Sequence, residues 1–146
     1  MNNEQLEKLE QLGRRAVACP RWRWMPGMLL VTEADNRFRL VELDFDAQDR
    51  WEWKGQYSTP VPDLRDPATL GCMLALVREA WGESEIVVVK DTWESLNGWM
   101  IGTFREDYNP ISHLSTICDG RFGKEHVSIY ANTEAEVLVV ALEAAP

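Results

Sequence analysis

The chain has 146 residues, 45% hydrophobic and 27% charged, proportions that suit one globular domain able to bury roughly two thirds of its unfolded surface. Fifteen Lys and Arg stand against 24 Asp and Glu, a net charge of −9, which argues against sequence-independent nucleic-acid binding because that needs clustered cations. Cys19, Cys72 and Cys118 are an odd number without a C-x-x-C pair, so they read as free thiols of a reducing cytoplasm. The opening MNNEQLEKLEQLG lacks the basic-then-apolar plan of a signal peptide. No apolar run approaches the length of about 18 residues that suggests a membrane span.

Residues 3 to about 15 read as a first helix with a narrow stripe of Leu6, Leu9 and Leu12 among charged residues. It is marginal alone, so it is expected to dock on the body of the fold or on a second copy, and Gly13 is placed to end it early. Pro20 and Pro26 exclude a long helix or central strand between them. Residues 28–32 and 37–44 then form an expected hairpin across a Glu33-Ala34-Asp35-Asn36 turn. Trp51-Glu52-Trp53 suits a short third strand, and 55–66, with Pro60 and Pro62, reads as loop.

The stretch DPATLGCMLALVREAWG, 66–82, is the clearest helix. Asp66 suits the N-cap, and Pro67 suits the first helical position, where a missing N–H costs nothing. Leu70, Leu74, Val77 and Trp81 fall on one stripe, widened by Met73, Leu76 and Ala80. Cys72 is assigned to the core, and Gly82 suits a left-handed residue just past the end. Gly71 costs on the order of 1 kcal/mol inside a helix, and a close approach by another segment would explain it. Ile86-Val87-Val88-Val89 reads as a buried strand, followed by an antiparallel strand over 98–105 and a last one over 126–130. Residues 106–123 carry no clear pattern. Thr133 and Glu136 form the capping box of a final helix whose face holds Val137, Leu138, Val140, Ala141 and Ala144.

These elements predict a single α+β domain over 1–146. Its antiparallel sheet has about five strands, and the 66–81 and 133–144 helices cover one face. A homodimer or higher homo-oligomer is expected.

Three segments carry a resemblance: RRAVACPRWRWMPGM at 14–28, VPDLRDPATLGCMLALVREAWG at 61–82, and TEAEVLVVALEAAP at 133–146. In that order they resemble a group of small, uncharacterised proteins encoded by tailed phages and prophages. The resemblance implies a phage setting and an accessory gene, of the kind that often encodes inhibitors or ligand sponges against host defence. It implies no activity, and it covers neither the strands between these segments nor the 106–123 loop.

The best candidate site is Arg21-Trp22-Arg23-Trp24. In extended chain both tryptophans share one side and both arginines the other. Arginine beside tryptophan can stack on a base or clamp a phosphate; the competing role is a strand entrance packed on the central helix. Trp51, Trp53 and Trp99 could wall an aromatic pocket, or they pack in core and rim. His113 with Cys118 or Ser112 would be a base and nucleophile, but the spacing matches no motif. Asp44, Asp46 and Asp49 lack the glycine and glutamate of a calcium loop, Gly120-Arg121-Phe122-Gly123-Lys124 lacks the ending of a P-loop, and no metal or cofactor is expected.

The leading functional expectation is a non-enzymatic protein that sequesters or blocks a host component, either a host protein or a small nucleotide-like ligand. Its setting would be the host cytoplasm, with no membrane contact. The alternatives are a small hydrolase built on the 106–123 loop and a structural or assembly protein of the virion.

Overall fold

A computed structural model of the chain describes residues 1–32, 35–41, 60–90, 98–103 and 129–146. These residues contain three helices and two antiparallel three-stranded sheets, which is an α+β architecture. Among the described residues the strands do not join into the single sheet of about five strands expected from the sequence. They form one sheet of order β2 (Arg37–Arg39), β1 (Leu29–Val31), β3 (Val61–Pro62) and another of order β4 (Val87–Lys90), β5 (Trp99–Gly102), β6 (Ile129–Ala131). The chain falls into two compact units, Met1–Cys72 and Met73–Pro146, and the boundary lies within the second helix.

In the first unit, helix α1 spans Asn3–Ala18. Asn2 caps it: its side chain accepts from the Gln5 N–H at 2.8 Å while Gln5 Oε1 accepts from the Asn2 N–H at 3.0 Å. This reciprocal pair satisfies two otherwise orphaned donors. Gly13 does not end the helix. A Cβ built there would meet Pro62 and Val61 at 3.4 Å, so the residue marks where the helix seats against the chain beside it. Leu12 and Ala16 are buried on that side.

Strands β1 (Leu29–Val31) and β2 (Arg37–Arg39) form the expected hairpin, with Leu30 opposite Phe38. Leu40 is buried, whereas Phe38 and Val41 are about half exposed. The segment read as loop before the central helix contributes β3, Val61–Pro62, which pairs with the other side of β1. Two residues are too few to show alternation, and Pro62 is tolerated because β3 lies at a sheet edge.

Helix α2 spans Pro67–Trp81. Asp66 is its N-cap, accepting from the Thr69 N–H at 2.9 Å. At the other end Gly82 has φ +64, its N–H bonds to the Glu79 carbonyl, and the Glu83 N–H bonds to the Arg78 carbonyl. That is the Schellman closure the glycine predicts. The fully buried side chains are Thr69, Met73, Leu76 and Val77; Leu70, Leu74 and Trp81 are half-buried, so the buried stripe is rotated from the predicted one. Gly71 has open space around a built Cβ, which removes close approach as its explanation. Cys72 is also only half-buried, with Sγ 3.5 Å from the Pro26 carbonyl oxygen.

In the second unit, β4 (Val87–Lys90) pairs antiparallel with β5 (Trp99–Gly102), and β5 with β6 (Ile129–Ala131). The Val87–Val89 side chains are half-buried rather than fully buried, since β4 is an edge of this sheet, while Ile86 just before it is completely enclosed. Helix α3, Glu134–Glu143, lies against β5 and β6. Its Thr133 cap accepts from the Glu136 N–H at 3.1 Å, but the Glu136 carboxylate reaches the Asn132 N–H rather than that of Thr133. Ala135, Val137, Leu138, Val139, Ala141 and Leu142 are all buried, so the helix is enclosed on more than the one face predicted. Each fully buried Leu or Val there contributes about 1.5–3 kcal/mol. Among the described residues, no helix is long and apolar enough to cross a membrane.

Candidate functional site

The Arg21–Trp24 segment follows directly from the end of α1. The Trp22 N–H closes a turn onto the Cys19 carbonyl at 2.9 Å, and the chain then extends to the turn at Gly27, whose φ is +95. Trp22 and Trp24 meet edge to face, with ring centroids 5.3 Å apart and planes at 84°. That arrangement places the positive edge of one ring on the negative face of the other. Both rings are half-buried, and Arg21 and Arg23 are exposed. The Trp22 indole N–H is enclosed without a hydrogen-bond partner among the described residues. The two tryptophans thus share a side, as their spacing predicts, and spend part of their ring surface on each other.

Beyond Gly27, charge organises the first unit. Arg39 reaches from β2 as a fork onto Asp66, Nη1 donating to Oδ2 at 2.9 Å and Nη2 to Oδ1 at 2.8 Å. Its Nη1 also donates to the Gly27 carbonyl at 2.7 Å. The Thr69 hydroxyl donates to Asp66 Oδ2 and accepts from the Leu29 N–H, each at 2.9 Å. One carboxylate therefore ties the start of α2 to both strands of the hairpin. The Arg39 fork, then the Thr69 N–H and hydroxyl, outweigh partial burial and hold the Asp66 carboxyl well below the usual carboxylate range. Burial pushes the Cys72 thiol up, and the nearby Asp66 charge adds to the effect.

Asp63 is the other anchor. Only 5% of its side chain is exposed, and Arg65 Nε and Nη2 each donate to it at 2.8 Å. Arg37 approaches to 3.4 Å. Burial works to raise this carboxyl, but the Arg65 fork, the Arg65 backbone N–H and the Arg37 charge together prevail and keep it lowered. The bidentate geometry is what offsets the desolvation of a buried anion.

Between α1 and this anchor lies a groove of about 350 Å³. Leu6 and Leu9 line it from the helix, Val31 and Thr32 from β1, and Val61 to Arg65 from the chain leading into α2. Glu10, Arg14 and Asp35 stand at its charged margin. The volume falls at the low end of ligand pockets, and an apolar lining with a few fixed polar groups is their usual character.

Sequence reasoning missed the groove. Its signals were a leucine stripe continuing beyond the docked end of α1, and an aspartate two residues before an arginine. Of the aromatic residues expected beside Arg21–Trp24, Trp99 is half-buried in β5 of the second unit, opposite Lys90 and Ala131. Trp51 and Trp53 lie outside the described residues, as do His113, Cys118, the three aspartates at 44–49 and the 106–123 loop. Among the described residues, no group of three or more His, Cys, Asp or Glu side chains could hold a metal ion.

No family model matches the chain, and no curated protein or solved structure matches it.

Proposed function

We propose that this protein is a non-enzymatic binding module that sequesters or blocks a component of a host cell, in the manner of a phage accessory protein acting in the host cytoplasm. The observation that carries the reading is the groove between α1 and the first sheet, with an apolar lining and a charged margin held by paired side chains. Its walls are already fixed: α1 seats on β3 at Gly13, and the Asp63–Arg65 fork fixes the opposite side. A preformed recess of this kind binds without the cost of ordering a loop. The Trp22–Trp24 pair with Arg21 and Arg23 provides a second surface, suited to stacking on a nucleotide-like ligand. The resemblance of 14–28, 61–82 and 133–146 to phage proteins supplies the setting. Phe38 and Val41, 50% and 52% exposed, support self-association as part of the same reading.

Native mass spectrometry of protein purified from cells carrying a defence system tests this reading. A retained partner or small molecule of defined mass is expected. A bare chain with no retained species, both from those cells and after incubation with nucleotides, would overturn it.

A further inference from the structure

We propose that the groove between α1 and the first sheet docks a basic, amphipathic segment of a partner protein, its apolar anchors entering between the helix and the sheet and its cations meeting Asp35 and Glu10. This rests on the binding-module reading and deepens it by naming the partner's chemistry.

The apolar component comes from the way α1 is seated. At Gly13 a built Cβ would meet Pro62 and Val61 at 3.4 Å, and Leu12 is only 8% exposed. Two turns earlier Leu6 is 40% exposed and still lines the groove. The stripe that docks the helix therefore continues past the docked part into open space, as apolar anchors of a groove do. Within the lining, the Thr32 hydroxyl is enclosed and has no hydrogen-bond partner among the described residues.

Charge decides the occupant. Among the described residues, three carboxylates, Glu10, Asp35 and Asp63, line the groove against two guanidiniums, Arg14 and Arg65. Both guanidiniums engage carboxylates of the same lining: Arg14 is 2.7 Å from Glu10, and Arg65 forks onto Asp63. Asp35 has the weakest compensation. Its side chain is 81% exposed, and its nearest cation among the described residues, Arg37, stands 3.8 Å away while lying closer to Asp63, at 3.4 Å. An incoming cation thus gains at Asp35, whereas an incoming anion meets, among the described residues, a carboxylate excess and no uncommitted guanidinium. The groove is selective for an apolar segment flanked by Lys or Arg.

The test uses fluorescein-labelled model peptides of 14 residues, one amphipathic in Leu and Lys and a counterpart in Leu and Glu, titrated against the full chain by fluorescence anisotropy. The Leu/Lys peptide is expected to bind, more weakly as salt rises, and the Leu/Glu peptide is not. Leu6→Lys is expected to weaken binding by about ten-fold, because it removes an anchor contact and adds a repelling charge. Asp35→Asn is expected to weaken it by about two- to five-fold, the range of an exposed charge pair. Asp35 has φ +56, and asparagine tolerates that conformation, so the fold is retained. Glu85→Gln, an exposed site in the second unit, makes the same change in net charge as either variant and is expected to leave affinity unaltered. Equal loss in Glu85→Gln and Asp35→Asn would show general attraction to an acidic protein and overturn the proposal. Binding of the Leu/Glu peptide, or no binding of either, would also overturn it. In those cases a partner retained in the native mass spectrum would leave the binding-module reading standing, with its surface elsewhere.

Discussion

The two units hold their helices by different means. In the first, the start of α2 is fixed by a carboxylate shared among Arg39, Thr69 and the helix N-terminus, with the Asp63–Arg65 fork beside it. In the second, α3 is enclosed by its own apolar side chains, and its polar ties include a Thr133 cap and the Trp81 indole N–H donating to the Ala141 carbonyl at 2.8 Å. A polar latch is directional and sets register, but its strength depends on protonation and salt. An apolar enclosure is indifferent to pH and intolerant of lost volume. The comparison teaches where each half is vulnerable. The groove lies in the first unit, beside the Asp63–Arg65 fork.

The largest effect is expected from Leu138→Ala. Leu138 is completely buried in α3, and its truncation removes transfer energy and leaves a cavity, a loss of about 2–5 kcal/mol measurable by urea denaturation. A loss below about 1 kcal/mol would show that the enclosure is looser than the burial implies. Gly98→Ala tests the same unit by crowding. A Cβ there would lie 2.6 Å from the Tyr130 hydroxyl oxygen and 2.7 Å from the Ala131 carbonyl oxygen. The tyrosine can swing aside, but the backbone carbonyl cannot, so a loss of about 1–3 kcal/mol is expected. Tyr130→Phe in the same background should recover little of it.

In the first unit, Asp66→Ala removes the cap and the acceptor of the Arg39 fork. It should lower stability by at least about 1 kcal/mol, and Asp66→Asn, which can still cap, by less. These variants also separate the units by pH. Asp63 and Asp66 both lie below their ordinary values in the folded chain. Their contribution is therefore complete above the unfolded carboxylate value of about pH 4 and is lost as pH falls through the lower folded values. The fall in the urea midpoint from pH 5 to pH 2.5 should be shallower in Asp66→Asn than in the parent and unchanged in Leu138→Ala. An equal slope in parent and Asp66→Asn would remove Asp66 from the latch. The smallest effect should be a gain: Gly71→Ala has open space and helical backbone, so thermal denaturation should show stabilisation of about 0.5–1 kcal/mol.

Local chemistry makes several elements legible in the sequence alone. Asp66-Pro67 and Gly82 mark the ends of α2 because capping depends on the residues at the ends themselves. The hairpin of β1 and β2 and the pairing of β4 with β5 join strands that lie close together in the chain. Gly13 was misread because a glycine that permits close packing and one that ends a helix look the same in sequence. The two-residue β3 was missed because its only strand-forming influence is β1, which pairs with it across about 30 residues of chain. In the candidate site, the spacing of Trp22 and Trp24 indicated a shared side, while their edge-to-face contact is a matter of approach that spacing cannot carry.

By itself the sequence determined the α+β class, the caps of α2, the antiparallel pairing of neighbouring strands and the acidic balance, since each depends on residues close together in the chain or on composition alone. Tertiary structure decided that the strands form two sheets, that Asp66 and Asp63 bind Arg39 and Arg65 as forks, and that α1 seats at Gly13 while Leu6 is left over a groove. Those outcomes depend on distances between segments far apart in the chain, and the energy that selects them comes from burial and ion pairing that exist only once the segments have met.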